Sequence, residues 1–444
     1  MATRLMPAAA AGDAGVYRWA AFGTGFLLQF NLVPAAWHIP VTRISLIAML
    51  PWIAFLIHRL LSRANPLSTI LYSAIIVLFV FLHLAFSGTA LTFGGGNVDL
   101  ALSLGYLIYL LGAVGLYIVL AQRSGTAWFC WGLLFGALTS LLVFVMQAIG
   151  LGGLAISLGL SQPRQVIQGL VDGSSRLTGM WGHANEVGHI LAISAPAAGY
   201  LFVSRRDRAP LVLLAIIMGG CFFFTANRGG MIAAIITCIA MFFARKESVM
   251  EQRRPLLITL ALLAVVGYAL YFLPAPEFIF ARFTEDSNIN NNASGRLGTT
   301  LAGLEMAVTH PFGMSGVDWR SALRSRTGFS TPHNGFIAMT NSIGLPFVLM
   351  YLVALVTVVL AGLRKPRKLS LDIFLMLAAV QASFSFMFED VSLADPFMVI
   401  IGLIMARVYS GAVTLAAPRR RNASAGRRQA DAQAATQDPL DQAT

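Results

Sequence analysis

The feature that most constrains this chain is the recurrence of apolar runs long enough to cross a bilayer. A spanning helix needs about 20 predominantly apolar residues, because the hydrocarbon core is about 30 Å thick. Such runs lie at 17–34, 42–61, 68–87, 99–121, 126–149, 183–204, 209–226, 229–244, 255–273, 333–361, 369–387 and 396–413. Backbone in lipid must satisfy its own hydrogen bonds, so these runs predict helices. The expected fold class is therefore an all-α integral membrane protein of about 12 transmembrane helices. Composition agrees, with 11% charged residues and a mean hydropathy of +0.73, against about 25% charged in soluble domains. The first run lacks a convincing cleavage site and is followed by many more, so it reads as a first span rather than a removed signal peptide.

Basic residues then orient the spans. Arg59 with Arg63, Arg123, Arg205-Arg206-Asp207-Arg208, Arg245-Lys246 with Arg253-Arg254, and Arg364-Lys365-Pro366-Arg367-Lys368 occupy alternate loops. With both termini cytoplasmic, every one of these clusters falls inside, as the positive-inside bias requires. The division of 209–244 rests on Asn227-Arg228-Gly229-Gly230; without a turn there, the 364–368 cluster would lie outside. The net charge of +12 is thus a topology signal, not a sign of a nucleic-acid partner. Residues 1–16 form a cytoplasmic N-terminus and 17–413 one polytopic domain. Residues 414–444 form a basic tail, expected to be disordered and close to anionic lipid. Cys130, Cys221 and Cys238 sit inside apolar runs without metal-like spacing, as core fillers.

Two external segments are long, about 150–182 and 274–332. Connections beyond about 15 residues usually carry function or are disordered. Ser294–His310 predicts a helix inside the second, with Leu297, Leu301, Leu304 and Val308 on an apolar stripe and Pro311 as its stop.

The external side breaks the charge rule in one way. It holds Arg164, Arg176, Arg228, Arg282, Arg296, Arg320, Arg324 and Arg326, with Arg43 at a span edge, while Lys246, Lys365 and Lys368 are all inside. A guanidinium offers a planar fork that matches phosphate or carboxylate. The set points to a phosphate-bearing ligand at the outer leaflet; pairing with Asp172, Glu277, Glu285, Asp286 or Asp318 is the bland alternative. Arg228 is the sharpest case, since an arginine near membrane depth normally faces a cavity and a partner. Arg296 opens the loop helix. In the stretch 176–186, His183 and Asn185 read as helix-entrance and pocket-wall residues. In Thr331-Pro332-His333-Asn334-Gly335-Phe336, a histidine meets the start of a membrane helix, whose positive end disfavours imidazolium and keeps a base neutral. Glu389, Asp390 and Asp395 fall in a short outer loop, placed to pair with external arginines or to touch sugar.

Four patches in order carry a family resemblance. They are Arg176–Asn185 with Gly-His-Ala-Asn, Thr225-Ala226-Asn227-Arg228, Ser294-Gly295-Arg296 running to His310-Pro311-Phe312-Gly313, and Pro332-His333-Asn334-Gly335 with Gly344. Over about residues 17–413 the chain resembles the O-antigen ligase and polymerase superfamily of bacterial envelope glycosyltransferases. The resemblance implies an inner-membrane protein with its active site facing the periplasm. Such proteins move a glycan from a polyprenyl (undecaprenyl) diphosphate carrier to an acceptor hydroxyl without nucleotide sugar or required metal; the step expected here is an inverting displacement at the anomeric carbon with no cofactor. Arg228 and Arg296 match the arginines that hold the diphosphate, and His333 matches the residue that activates the acceptor. Arg176, His183, Asn185, Asn334 and Arg320 complete the expected substrate pocket. Thr225-Ala226-Asn227 stands where the family often has serines, which puts the hydrogen bonds of that turn in question. Partners would be the lipid-linked donor, a glycan or lipid A–core acceptor, membrane lipid, and chain-length regulator or flippase proteins.

Polymerisation of O-antigen or exopolysaccharide repeat units is favoured over ligation to lipid A–core, because the first and last patches look closest to exopolysaccharide-type members. A lipid-linked oligosaccharide flippase would spread charge along its spans and show a two-half repeat; an ion-coupled permease would carry acids at mid-span. Neither pattern is evident here.

Overall fold

The computed structural model describes residues 8–30, 44–61, 67–86, 97–121, 125–161, 177, 179–181, 184–205, 207–225, 227–244, 286–314, 316–329, 332–364, 370–390 and 394–410. Among these residues every regular element is a helix. In chain order they are α1 (Ala8–Leu27), α2 (Ile44–Leu61), α3 (Leu67–Phe86), α4 (Asn97–Leu120), α5 (Gly125–Ala148), α6 (Gly152–Ser157), α7 (Ala184–Leu191) and α8 (Ser194–Arg205). Then follow α9 (Ala209–Thr225), α10 (Arg228–Ala244), α11 (Asp286–Thr309), α12 (Gly316–Thr327), α13 (Gly335–Ile343), α14 (Leu345–Arg364), α15 (Ser370–Phe388) and α16 (Asp395–Tyr409).

Five of the described segments are long and apolar enough to cross a membrane: Ile44–Leu61, Gly125–Ala148, Ala184–Arg205, Leu345–Leu363 and Leu371–Phe388. Ser68–Phe81, Gly105–Leu120, Ala209–Thr225 and Arg228–Met241 are shorter apolar helices. The run expected at 255–273 lies outside the described residues; the other expected runs overlap described helices.

Two expected spans are broken, each at a proline or glycine. Within 184–205, Pro196 has no N–H and its ring crowds the carbonyl four residues back, so α7 gives way to α8 around Ala192-Ile193. There Ile193 N–H and Ala195 N–H turn to carbonyls three residues back, Ile190 and Ala192, at 3.0 Å each. The expected run 333–361 is divided at Gly344, whose φ of +109° favours glycine. Pro346 keeps the helix that starts at Leu345 from joining the one before it.

Packing follows small residues. A side chain at Gly25 would strike the Phe129 carbonyl, and one at Gly132 the Phe22 carbonyl, so bare Cα positions let α1 and α5 cross at close range. Gly115 lies in the same way against the Trp52 carbonyl where α4 meets α2. The buried core spreads over α4, α5, α8, α15 and α16. Two polar pairs cross it: Trp52 Nε1 donates to Thr24 Oγ1 at 2.8 Å, and Arg407 Nε donates to Asp372 Oδ1 at 2.6 Å across α16 and α15. Asp395 opens α16 fully buried rather than standing in a loop, and accepts a hydrogen bond from Ser45, which also contacts the Tyr109 hydroxyl at 2.8 Å. Large apolar side chains left exposed line α3 and α14, as a lipid-facing surface would.

A second small cluster holds the loop helices. Met306, Trp319, Leu323 and Ala338 bury against one another and fasten α11 and α12 onto α13. The helix expected at 294–310 is present and begins earlier, at Asp286.

Candidate active site

The turn between α9 and α10 is fixed by its own residues. Thr225 Oγ1 donates to the Cys221 carbonyl at 2.6 Å and accepts from Asn227 N–H at 3.2 Å. Asn227, only 5% exposed, caps α10: its Oδ1 accepts from Gly230 N–H at 2.8 Å. Its Nδ2 donates to the carbonyls of Ala184, at 3.3 Å, and Asn185 at the start of α7. Gly188 and Gly230 make this clamp possible, since a Cβ on either would collide with Asn227 or with the Gly188 backbone. The residues that depart from the family's serines thus supply the turn's hydrogen bonds themselves. Arg228 is the first residue of α10 and is exposed.

Beneath it lies a buried polar knot. His189 Nδ1 sits 3.1 Å from Ser385 Oγ, and Gln381 Nε2 donates both to Ser385 Oγ (2.9 Å) and to the His189 carbonyl (3.2 Å). A Cβ on Gly229 would lie 2.7 Å from His189 Nε2 and 3.3 Å from Phe388 Cβ. The residue after Arg228 therefore touches the last turn of α15.

The same end of α15 meets His333. Asn334 caps α13, its Oδ1 accepting from Phe336 N–H at 3.0 Å and Ile337 N–H at 3.2 Å. The helix consequently begins at Gly335, and Pro332 stands outside its first turn. His333, one residue ahead of the cap, has a φ of +49° and is the only non-glycine with positive φ among the described residues. Its Nδ1 faces Glu389 Oε1 at 3.2 Å, with side chains 23% and 13% exposed. Glu389 continues α15, its N–H donating to the Ser385 carbonyl at 3.0 Å.

α11 braces the segment from the other side. Thr299 Oγ1 donates to the Pro332 carbonyl at 3.5 Å, and Asn341 Nδ2 to the Gly303 carbonyl at 3.1 Å. Arg296 is in α11, one helical turn before Thr299. Further along, the Leu345 N–H donates to the Pro311 carbonyl at 2.7 Å, and the Phe312 backbone fills the space beside Gly344.

Asp390 adds a second carboxyl. Burial pushes it up to about 7, opposed by Arg320, reinforced by Glu389 and opposed again by His333. Its Oδ1 is buried with no hydrogen-bond partner. Arg320, on α12, lies over the Trp319 ring at 5.3 Å from the centroid.

The structure thus joins His333, Glu389 and Asp390, with Arg320 within electrostatic reach, and brings the backbones of the Arg228 turn and of α11 to the same corner. Asn185 contributes a backbone carbonyl to the Asn227 clamp. Asn334 spends its side-chain oxygen on the cap. Arg326 is paired with Glu305 at 3.1 Å, an acid not among those considered from sequence. Arg43, Arg164, Arg176, His183 and Arg282 lie outside the described residues. Glu389 is the residue that sequence reasoning assigned no specific partner.

Residues 213–352 match the family model described as O-antigen ligase. The match supports the O-antigen ligase superfamily for this chain and spans the second, third and fourth patches. Arg176–Asn185, Glu389 and Asp390 lie beyond it. No curated protein matches the chain. The apolar helices are those of a multi-pass membrane protein.

Proposed function

We propose that the protein transfers a glycan from a polyprenyl diphosphate carrier to an acceptor sugar hydroxyl on the periplasmic face of the inner membrane, through a fold of about 12 spans. The observation that carries the reading is the His333–Glu389 pair, on the corner reached by the Arg228 turn and by α11. Both arginines and the histidine fall within the segment that matches the O-antigen ligase model.

The chemistry follows from the pair. With its Nδ1–H donated to Glu389, the imidazole presents a bare Nε2 to the acceptor. The hydroxyl proton moves to Nε2 as the oxygen bonds to the anomeric carbon. The bond from that carbon to the diphosphate oxygen breaks, and the electron pair leaves with the diphosphate. Approach from the face opposite the leaving group inverts the anomeric centre. Glu389 stabilises the imidazolium that forms, and Arg228 and Arg296 balance the charge growing on the diphosphate. No metal is needed, because guanidinium groups supply the positive charge. Arg320 and Asp390, beside the base, are suited to hold the acceptor sugar, and Asn185 and Asn334 shape the helix entrances around it.

The test is transfer by purified protein from a lipid-linked donor. His333→Ala should abolish product while leaving the protein inserted and folded, and full activity in that variant would sink the base assignment. A flippase would not make a new glycosidic bond under these conditions. Within the enzyme reading, polymerisation of repeat units is preferred. A deletion strain should then carry single repeat units on its surface lipid, whereas long chains stranded on the carrier would indicate ligation to lipid A–core.

A further inference from the structure

Helix α11 carries an apolar face that stands exposed among the described residues. Leu297, Leu301, Leu304 and Val308 are 62%, 58%, 47% and 78% exposed. Their spacing of four, three and four residues keeps them within one narrow arc of the helix. Thr299, Gly303 and Met306 occupy the opposite arc, and these are the residues packed against α12 and α13. The helix is thus pinned by one side and bare on the other. Four large aliphatic groups in a row are not the scattered exposure of an ordinary surface.

What covers them follows from what the stripe runs into. α11 ends at Thr309, and the chain turns through Pro311 and Phe312. Phe312 is itself exposed, and its backbone lies against Gly344. Leu345 is bonded to the Pro311 carbonyl at 2.7 Å and starts α14. Leu345, Leu349, Val353, Val356, Leu360 and Leu363 form the exposed apolar stripe of that spanning segment. One apolar seam therefore passes from the outward side of a spanning helix, round the Phe312 turn, onto α11. Beside it, α12 presents Arg320 and Arg324 as exposed residues, with Arg326 held by Glu305 of α11 at 3.1 Å. Apolar side chains on one face with arginines alongside suit the boundary between acyl chains and anionic headgroups.

We infer that α11 is an interfacial helix, with Leu297, Leu301, Leu304 and Val308 seated in the acyl layer of the leaflet that α14 enters at Leu345. Its depth would be that of a monotopic amphipathic helix, about 5–10 Å below the headgroups. In that position α11 holds Arg296 and the Thr299–Pro332 contact at headgroup level. The inference rests on the multi-pass membrane reading and not on glycan transfer, so its test uses no activity.

Leu301→Cys and Val308→Cys, each carrying an environment-sensitive fluorophore, are reconstituted as full-length protein in nanodiscs of phosphatidylethanolamine and phosphatidylglycerol. Ser325→Cys, exposed on α12, serves as the reference. The native cysteines are buried, so the unsubstituted protein gives the labelling background. Lipids brominated on the acyl chain should quench the two stripe labels several-fold more than the Ser325 label, and aqueous iodide should show the reverse order. Iodide quenching equal to that of the reference, with no effect of brominated lipid, would overturn the inference. So would shielding from both quenchers, which would mean that protein covers the stripe. Two stripe positions guard against a single label that disturbs the fold.

Discussion

Asn227→Ala tests the turn that presents Arg228. Three hydrogen bonds of one buried amide are lost together: the cap on Gly230 N–H at 2.8 Å, and the donations to the Ala184 and Asn185 carbonyls. An N-cap of this kind contributes about 1 kcal/mol, and each bond across to α7 about 0.5–1.5 kcal/mol. The side chain also packs directly on Gly188, so truncation opens space between α7 and α10. The expected loss is about 2–4 kcal/mol. It is read as the shift in the unfolding midpoint on titration with a denaturing detergent in mixed micelles. Two companion variants apportion it. Asn227→Ser keeps the cap and loses the cross-helix bonds, so it should fall between the wild type and Ala. Asn227→Asp keeps the cap but sets a carboxylate against two carbonyls, so it should be no better than Ser. A change within about 0.5 kcal/mol for Asn227→Ala, the usual range for a surface substitution, would refute the clamp as described. So would an Asp variant as stable as the wild type.

Glu389→Gln keeps a hydrogen-bond acceptor for His333 but removes the charge that stabilises an imidazolium; glycan transfer by purified protein should drop about 100-fold, with the unfolding midpoint unchanged. Gly230→Ala drives a methyl into the Gly188 backbone and should destabilise by about 1–3 kcal/mol in the same detergent titration. Asp390 is raised to about 7 in the fold, against about 3.9 for a free aspartate. The folded state then binds more protons than the unfolded one between those values, so the Asp390 contribution is present at low pH and is lost as pH rises towards 7. Asp390→Asn should flatten the pH dependence of the unfolding midpoint across that window and leave the variant more stable than wild type at pH values above it. Parallel curves for the two proteins would contradict this.

Much of this fold was legible because membrane insertion writes itself into local composition. Apolar runs and flanking arginines are properties of short windows, and they located most of the helices. The breaks at Ala192-Ile193 and Gly344 were less visible, since a proline or glycine inside an apolar run is compatible with an unbroken span. Gly344 becomes a break because the Phe312 backbone rests on it, a contact between distant segments. Arg228 and His333 stood out as polar groups at the entrances of apolar helices, where polarity is unusual; Arg296, expected to open the loop helix, lies inside it because α11 begins at Asp286. Glu389 had no such contrast: its partner is 56 residues away in sequence, and nothing local distinguishes it from Asp390. Asp395 misled for the same reason, reading as a loop acid although Ser45, from the other end of the chain, meets it in the interior. The stripe on α11 was predicted as a stripe, but periodicity gives only that one arc is apolar. Whether that arc faces protein or lipid depends on what Thr299 and Gly303, on the opposite arc, are packed against.

On the base role proposed for His333, its left-handed backbone sets stability against function at a single position. Holding a residue with a Cβ at that φ costs about 1–2 kcal/mol, whereas glycine adopts it freely and asparagine comes close. On folding alone, histidine is a poor choice for position 333. Drift released from the demand for an imidazole would move this position towards glycine or asparagine without harm to the fold. Inactive descendants of this chain would then be marked less by decay of the bundle than by relaxation of one strained residue at the head of α13.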